Sequence, residues 1–106
     1  MKIPDDAIIP REKLTQYLLV PQRKNDKSAF LAQAGFTQNN PDLLEKAIRE
    51  LIANNEAIQD RQNAYGVFYR VVGDLHGPLG DLATVTVWIQ LTNDNDYRFV
   101  TLKPAR

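Results

Sequence analysis

Residues 65–91 read YGVFYRVVGDLHGPLGDLATVTVWIQL, and the fold depends on how this stretch pairs with itself. From Tyr65 the apolar residues recur with a period of two, and Val, Tyr, Phe, Thr, Trp and Ile suit a pleated surface. Two strands are predicted, Tyr65–Leu75 and Leu82–Leu91, joined by the turn signal His76-Gly-Pro-Leu-Gly. A third, Tyr97–Lys103, follows the turn signal Thr92-Asn-Asp-Asn-Asp, giving an antiparallel meander. Taken as five-residue loops, the turns set Leu75 opposite Asp81 and Leu91 opposite Tyr97. Alternation then sorts the side chains onto two faces. Val67, Tyr69, Val71, Val85, Val87, Ile89, Leu91, Tyr97 and Phe99 share an apolar face that should receive helices. The other face is mixed, with Phe68, Val72, Asp74, Thr84, Gln90, Val100 and Leu102 around Arg70, Thr86, Trp88 and Arg98. A one-residue slip between the last two strands would bring Thr101 and Lys103 onto the Trp88 face in place of Arg98.

The residues before the meander have helical character. Pro10 suits a first helical position, and Leu14, Tyr17 and Leu18 recur at helical spacing, predicting a helix over about 11–19 that Pro21 ends. Asp26 is a candidate cap for a short helix over about 27–34, with Gly35 at its end. The clearest helix starts at Asn40-Pro41-Asp42, where Leu44, Ala47, Ile48, Leu51 and Ile52 form one stripe, and stops at Asn54-Asn55. Ala57-Ile58-Gln59 is a candidate edge strand. The expected fold is α+β in a single domain over residues 1–106. About three helices (residues 10–54) pack on one face of a meander of three to four strands (residues 65–103).

Composition narrows the function classes. Thirteen basic and thirteen acidic side chains cancel, which disfavours a dedicated non-specific DNA binder. Basic charge is locally dense at Arg23, Lys24 and Lys27, and again at Lys103 and Arg106. With no cysteine there is no disulfide or thiolate chemistry, and a cytoplasmic location is expected. No apolar run approaches the ~20 residues of a membrane span, and the start has no signal-peptide core.

The candidate functional residues are few. His76, the only histidine, sits at a strand end, where it is a candidate acid or base and otherwise an ordinary turn residue. Without a second histidine or a cysteine no zinc site is expected, and no cofactor is implied. Arg70, Arg98 and Trp88 suit phosphate contact and base stacking, or else the arginines simply cover an apolar face. Lys27 is a further candidate phosphate contact. The charges on the third helix read as a solvated face.

Several segments carry a resemblance: Leu14-x-x-Tyr-Leu-Leu, Asp26-Lys-Ser-Ala-Phe-Leu-x-x-x-Gly-Phe, the Leu44 helix, Leu75-His-Gly-Pro-Leu-Gly, Val85-x-Val-Trp-Ile and Arg98-Phe-Val-Thr-Leu-x-Pro. In order and spacing they resemble an uncharacterised bacterial domain family, common in cyanobacteria, that also forms C-terminal domains of polymorphic toxins. That family is similar in outline to small metal-independent ribonuclease toxins of the barnase, EndoU, colicin and RelE type. Where the family usually ends in a Val-Thr-Ala-Tyr-Pro type segment, this chain has Val100-Thr-Leu-Lys-Pro, with Lys103 in place of the aromatic. The resemblance implies helices before a sheet whose open face cleaves RNA. Catalysis would fall to His76, Arg98 and Thr101, and substrate binding to Lys27, Arg70, Thr86 and Trp88, with a small antitoxin or immunity protein as partner. The competing readings are a non-enzymatic interaction module and a homodimer, each using the Trp88 face.

Overall fold

The computed structural model describes residues 1–24 and 26–105. Helix α1 (Arg11–Lys13) runs directly into a π-helical turn (Leu14–Leu18), closed by the Leu19 amide donating to the Leu14 carbonyl at 3.1 Å. Short helix α2 (Ser28–Ala32) begins where Asp26 Oδ1 accepts from the Ser28 amide at 2.9 Å and from its hydroxyl at 2.7 Å. Gly35, with φ +91°, turns the chain out of it. Helix α3 (Pro41–Asn54) lays its stripe of Leu44, Ala47, Ile48, Leu51 and Ile52 on the sheet, chiefly on β2. Its Arg49 is more than a solvated charge. Besides pairing with Glu45, it donates to the carbonyls of Asp5 and Ala7, both at 3.0 Å, and so ties down the N-terminal segment.

Four antiparallel strands follow: β1 (Ala57–Gln62), β2 (Gly66–Gly77), β3 (Gly80–Leu91) and β4 (Tyr97–Pro104), in spatial order β1-β2-β3-β4. The α+β arrangement of helices before a meander is present, and the candidate edge strand at 57–59 is the start of β1. Ile8 forms a parallel bridge to Arg98 on the outer edge of β4.

The faces of β3 are the reverse of the sequence expectation. The first hairpin has two loop residues, not five: Gly77 pairs with Gly80 and Leu75 with Leu82. That one-residue change sets Trp88 opposite Tyr69 and turns Leu82, Thr84, Thr86 and Trp88 into the core, where all but Leu82 are fully buried. Val85, Val87 and Ile89 face the other way. The pattern misled because both parities of β3 are rich in β-formers, and the threonines make the Trp88 set look polar. Their hydroxyls are satisfied inside: Thr84 donates to the Leu82 carbonyl at 2.8 Å and Thr86 to the Val71 carbonyl at 3.1 Å. Trp88 Nε1 in turn donates to Thr86 Oγ1 at 2.8 Å, and its ring meets Phe99 edge-on at 5.4 Å.

The β3–β4 pairing is also shifted. Trp88 pairs with Phe99 but Val87 pairs with Thr101, so Val100 is the extra residue of a bulge. Tyr97 and Phe99 keep their expected core side, whereas Leu102 passes from the outer to the core side and is fully buried.

Candidate functional site

Away from the helices, the sheet presents a face of apolar and basic residues. Ile58, Arg70, Val87 and Thr101 form one row of register partners across the four strands, and Phe68, Ile89 and Arg98 form the next. Arg70 and Thr101 are separated by two strand spacings, roughly 10 Å between backbones. Phe68 is covered by Arg61, whose guanidinium lies 4.6 Å from the ring centroid. Arg98 reaches Asp94 at 3.6 Å, and its Nε is buried with no hydrogen-bond partner among the described residues. An orphaned cationic donor of this kind is costly unless something accepts from it.

At the β4 edge this face meets a pocket of about 550 Å³ lined by Lys13, Tyr17, Lys27, Val100 and Thr101. The bulge builds it. Pushed out of the regular β4 pairing, Val100 offers its carbonyl to Lys13 Nζ at 2.8 Å. Beside it, Lys27 Nζ lies 3.4 Å from Thr101 Oγ1 and 6.0 Å from the centroid of the Tyr17 ring. The π-helical turn completes the wall, since Lys13 and Tyr17 are four residues apart and both line the pocket. Burial holds the Lys13 ammonium below the usual lysine range. For Lys27, burial does the same and the nearby Lys103 adds to it. Neither lysine pairs with a carboxylate among the described residues. The pocket thus gathers two partly desolvated cations and a hydroxyl, with Glu12 acting on Lys13 through space but no carboxylate in a salt bridge to either lysine among the described residues.

The sequence-derived residues therefore divide. Arg70, Arg98 and Thr101 do share one face, with Lys27 at its edge. Thr86 and Trp88, expected on that face, lie inside the core with no exposed surface, so neither offers a contact to RNA or a partner. His76 stands apart, six residues along β2 from Arg70, roughly 20 Å at about 3.4 Å per residue. There its Nδ1 donates to Asp81 Oδ1 at 2.8 Å, and that bond, with the charge behind it, raises its pKa. The four side chains Arg70, Trp88, Arg98 and His76 do not converge. Lys13 and Tyr17 were missed from the sequence because nothing local marks them; only the bulge brings them to Thr101. Arg106, counted with Lys103 as a basic pair, lies outside the described residues.

No described helix is long and apolar enough to cross a membrane. Over residues 2–106 the sequence matches a family described as a domain of unknown function, DUF6883. No curated protein matches it. Among solved structures, a chain from a contact-dependent growth inhibition toxin–immunity protein complex of Klebsiella pneumoniae 342 is similar, with a TM-score of 0.72 and 18% identity over 95% of each chain. At that identity the likeness is one of fold.

Proposed function

The chain belongs to the DUF6883 family, and on that premise we propose that it is a toxin-like, metal-independent ribonuclease domain of a toxin–antitoxin type system. The observation that carries the reading is the bulge-built pocket, which gathers Lys13, Lys27 and Thr101 with no salt bridge to either lysine among the described residues. The fold likeness to a chain of a toxin–immunity complex supports the biological setting.

Cleavage of RNA without metal needs a proton acceptor for the 2′-hydroxyl and a donor for the leaving 5′-oxygen. It also needs cations for the charge that gathers on phosphorus. Lys27, partly desolvated and 3.4 Å from the Thr101 hydroxyl, is the group we assign to exchange the proton, and burial lowers its pKa in the direction that this role needs. Lys13 supplies positive charge inside the pocket, Arg98 adds to it from the adjoining sheet face, and the Thr101 hydroxyl donates to a non-bridging oxygen. Arg70 lies further out on the face and holds a neighbouring phosphate. His76 is too far along β2 to act at this phosphate.

The test is cleavage of a synthetic RNA by purified protein in the presence of EDTA, with growth after induction as the cellular readout. Lys27→Ala and Thr101→Val should each lower cleavage about 10²-fold or more, while His76→Ala leaves it within a few-fold. Intact RNA and undisturbed growth with the wild-type chain would remove the proposal.

A second reading rests on Ile58 and Val72, which are 56% and 48% exposed on the same face as Arg70. Apolar residues beside arginine suit a partner interface, and an immunity-type partner seated there would cover the RNA face. Restored growth on co-expression of the neighbouring gene, lost with Arg70→Glu, would support it.

A further inference from the structure

The pocket holds one feature that phosphate binding leaves unused. Tyr17 lines it with 38% of its surface exposed, in a chain whose other pocket residues are two lysines, a valine and a threonine. An exposed ring beside two cations is ordinarily engaged by one of them. Here Lys27 lies at 6.0 Å from the centroid, the outer limit of a cation–π contact, and Lys13 is turned to the Val100 carbonyl. The ring is therefore available. It is also held in place: Leu14 and Leu18, on the same π-helical turn, are fully buried, so the turn that carries Tyr17 is anchored in the core.

We infer that Tyr17 is a stacking platform for an unpaired nucleobase whose phosphate lies between Lys13 and Lys27. The inference rests on the ribonuclease reading and narrows its substrate to single-stranded or looped RNA. Bases within a duplex are already stacked on both faces and offer none to a protein ring. An A-form helix instead presents its backbone and shallow groove, which a pocket set into the β4 edge does not match. An aromatic platform is tolerant of base identity, so selection acts on strandedness first.

Fluorescence anisotropy at fixed salt, with an eight-nucleotide unstructured RNA and a twelve-base-pair RNA duplex, both carrying non-cleavable 2′-O-methyl linkages, tests this. The single strand should bind about tenfold or more tighter than the duplex. Tyr17→Ala should weaken the single strand about 5- to 100-fold, with duplex binding unchanged and Tyr17→Phe within about threefold of wild type. Circular dichroism of each variant guards against misfolding, and the Phe variant keeps the comparison meaningful if the Ala variant is unstable. Equal affinity for strand and duplex, or a Tyr17→Ala protein that binds like wild type while Lys27→Ala does not, would overturn the stacking site and leave the phosphate site standing. Failure of every variant, wild type included, to bind or cleave RNA would remove both.

Discussion

Replacing Thr86 with valine tests the register on which the site depends. In the fold Thr86 is fully buried and its hydroxyl is used twice, accepting from Trp88 Nε1 at 2.8 Å and donating to the Val71 carbonyl at 3.1 Å. Valine has nearly the same shape, so packing is retained and the polar loss is isolated. A buried indole N–H left without an acceptor costs about 1–3 kcal/mol. The added methyl returns up to about 0.8 kcal/mol through burial. The net destabilisation should be about 1–2 kcal/mol, lowering Tm by about 5–12 °C for a domain of this size. Trp88 is the only tryptophan, so urea unfolding followed by its fluorescence reads the site directly. Its emission should be blue-shifted and protected from acrylamide in the native state. In a Trp88→Phe background Thr86→Val should be nearly neutral, a coupling of about 1 kcal/mol or more between the two residues. A fully stable Thr86→Val protein, together with solvent-quenched Trp88 emission, would mean that these residues sit on an open face and that the register is wrong.

Gly77→Ala should destabilise by about 1–3 kcal/mol in a thermal melt, because a Cβ there would lie 2.3 Å from the Ala34 carbonyl oxygen. His76 should titrate above its ordinary 6.5 in an NMR pH series, since the Asp81 hydrogen bond favours the charged ring, and Asp81→Asn should bring it down. Because the folded-state value is the raised one, stabilisation from this pair is present below the unfolded value and fades as pH rises through the folded one. Lys103→Ala should move the Lys27 pKa only part of the way back toward the ordinary lysine value, as burial is the larger cause and remains; a Lys27 side-chain NMR titration reads this.

The local signals that were legible are those with a local cause. Asn40-Pro41-Asp42 starts α3 and Asn54-Asn55 ends it, and the stripe from Leu44 to Ile52 is the face that packs. The change of period at Tyr65 marks the passage to strands, and Arg70 and Arg98 reach one face although the expected pairing of β3 was wrong, whereas Thr101 joins them only through the bulge at Val100. The agreement for Arg70 and Arg98 has a simple origin. β2 and β4 keep their parity up to Phe99, so a flipped β3 exchanges its own residues without disturbing theirs.

Sequence alone determined the order of elements, the α+β class and the identity of the basic residues, because propensity, capping and periodicity act over a few neighbours. Tertiary structure decided which residues meet. Two-residue hairpins favour turns with positive φ at the first loop position, which Pro78 cannot adopt. The tight Pro78-Leu79 turn is instead held from outside, with the Leu79 amide donating to the Ala34 carbonyl at 2.9 Å at the end of α2. A contact between residues 45 positions apart thus accompanies the two-residue turn that gives β3 its parity and buries Trp88. The bulge at Val100 is likewise matched by Lys13, 87 residues away, and places that lysine beside Lys27, Tyr17 and Thr101. With a side-chain period of two, one residue of slip is the difference between core and surface.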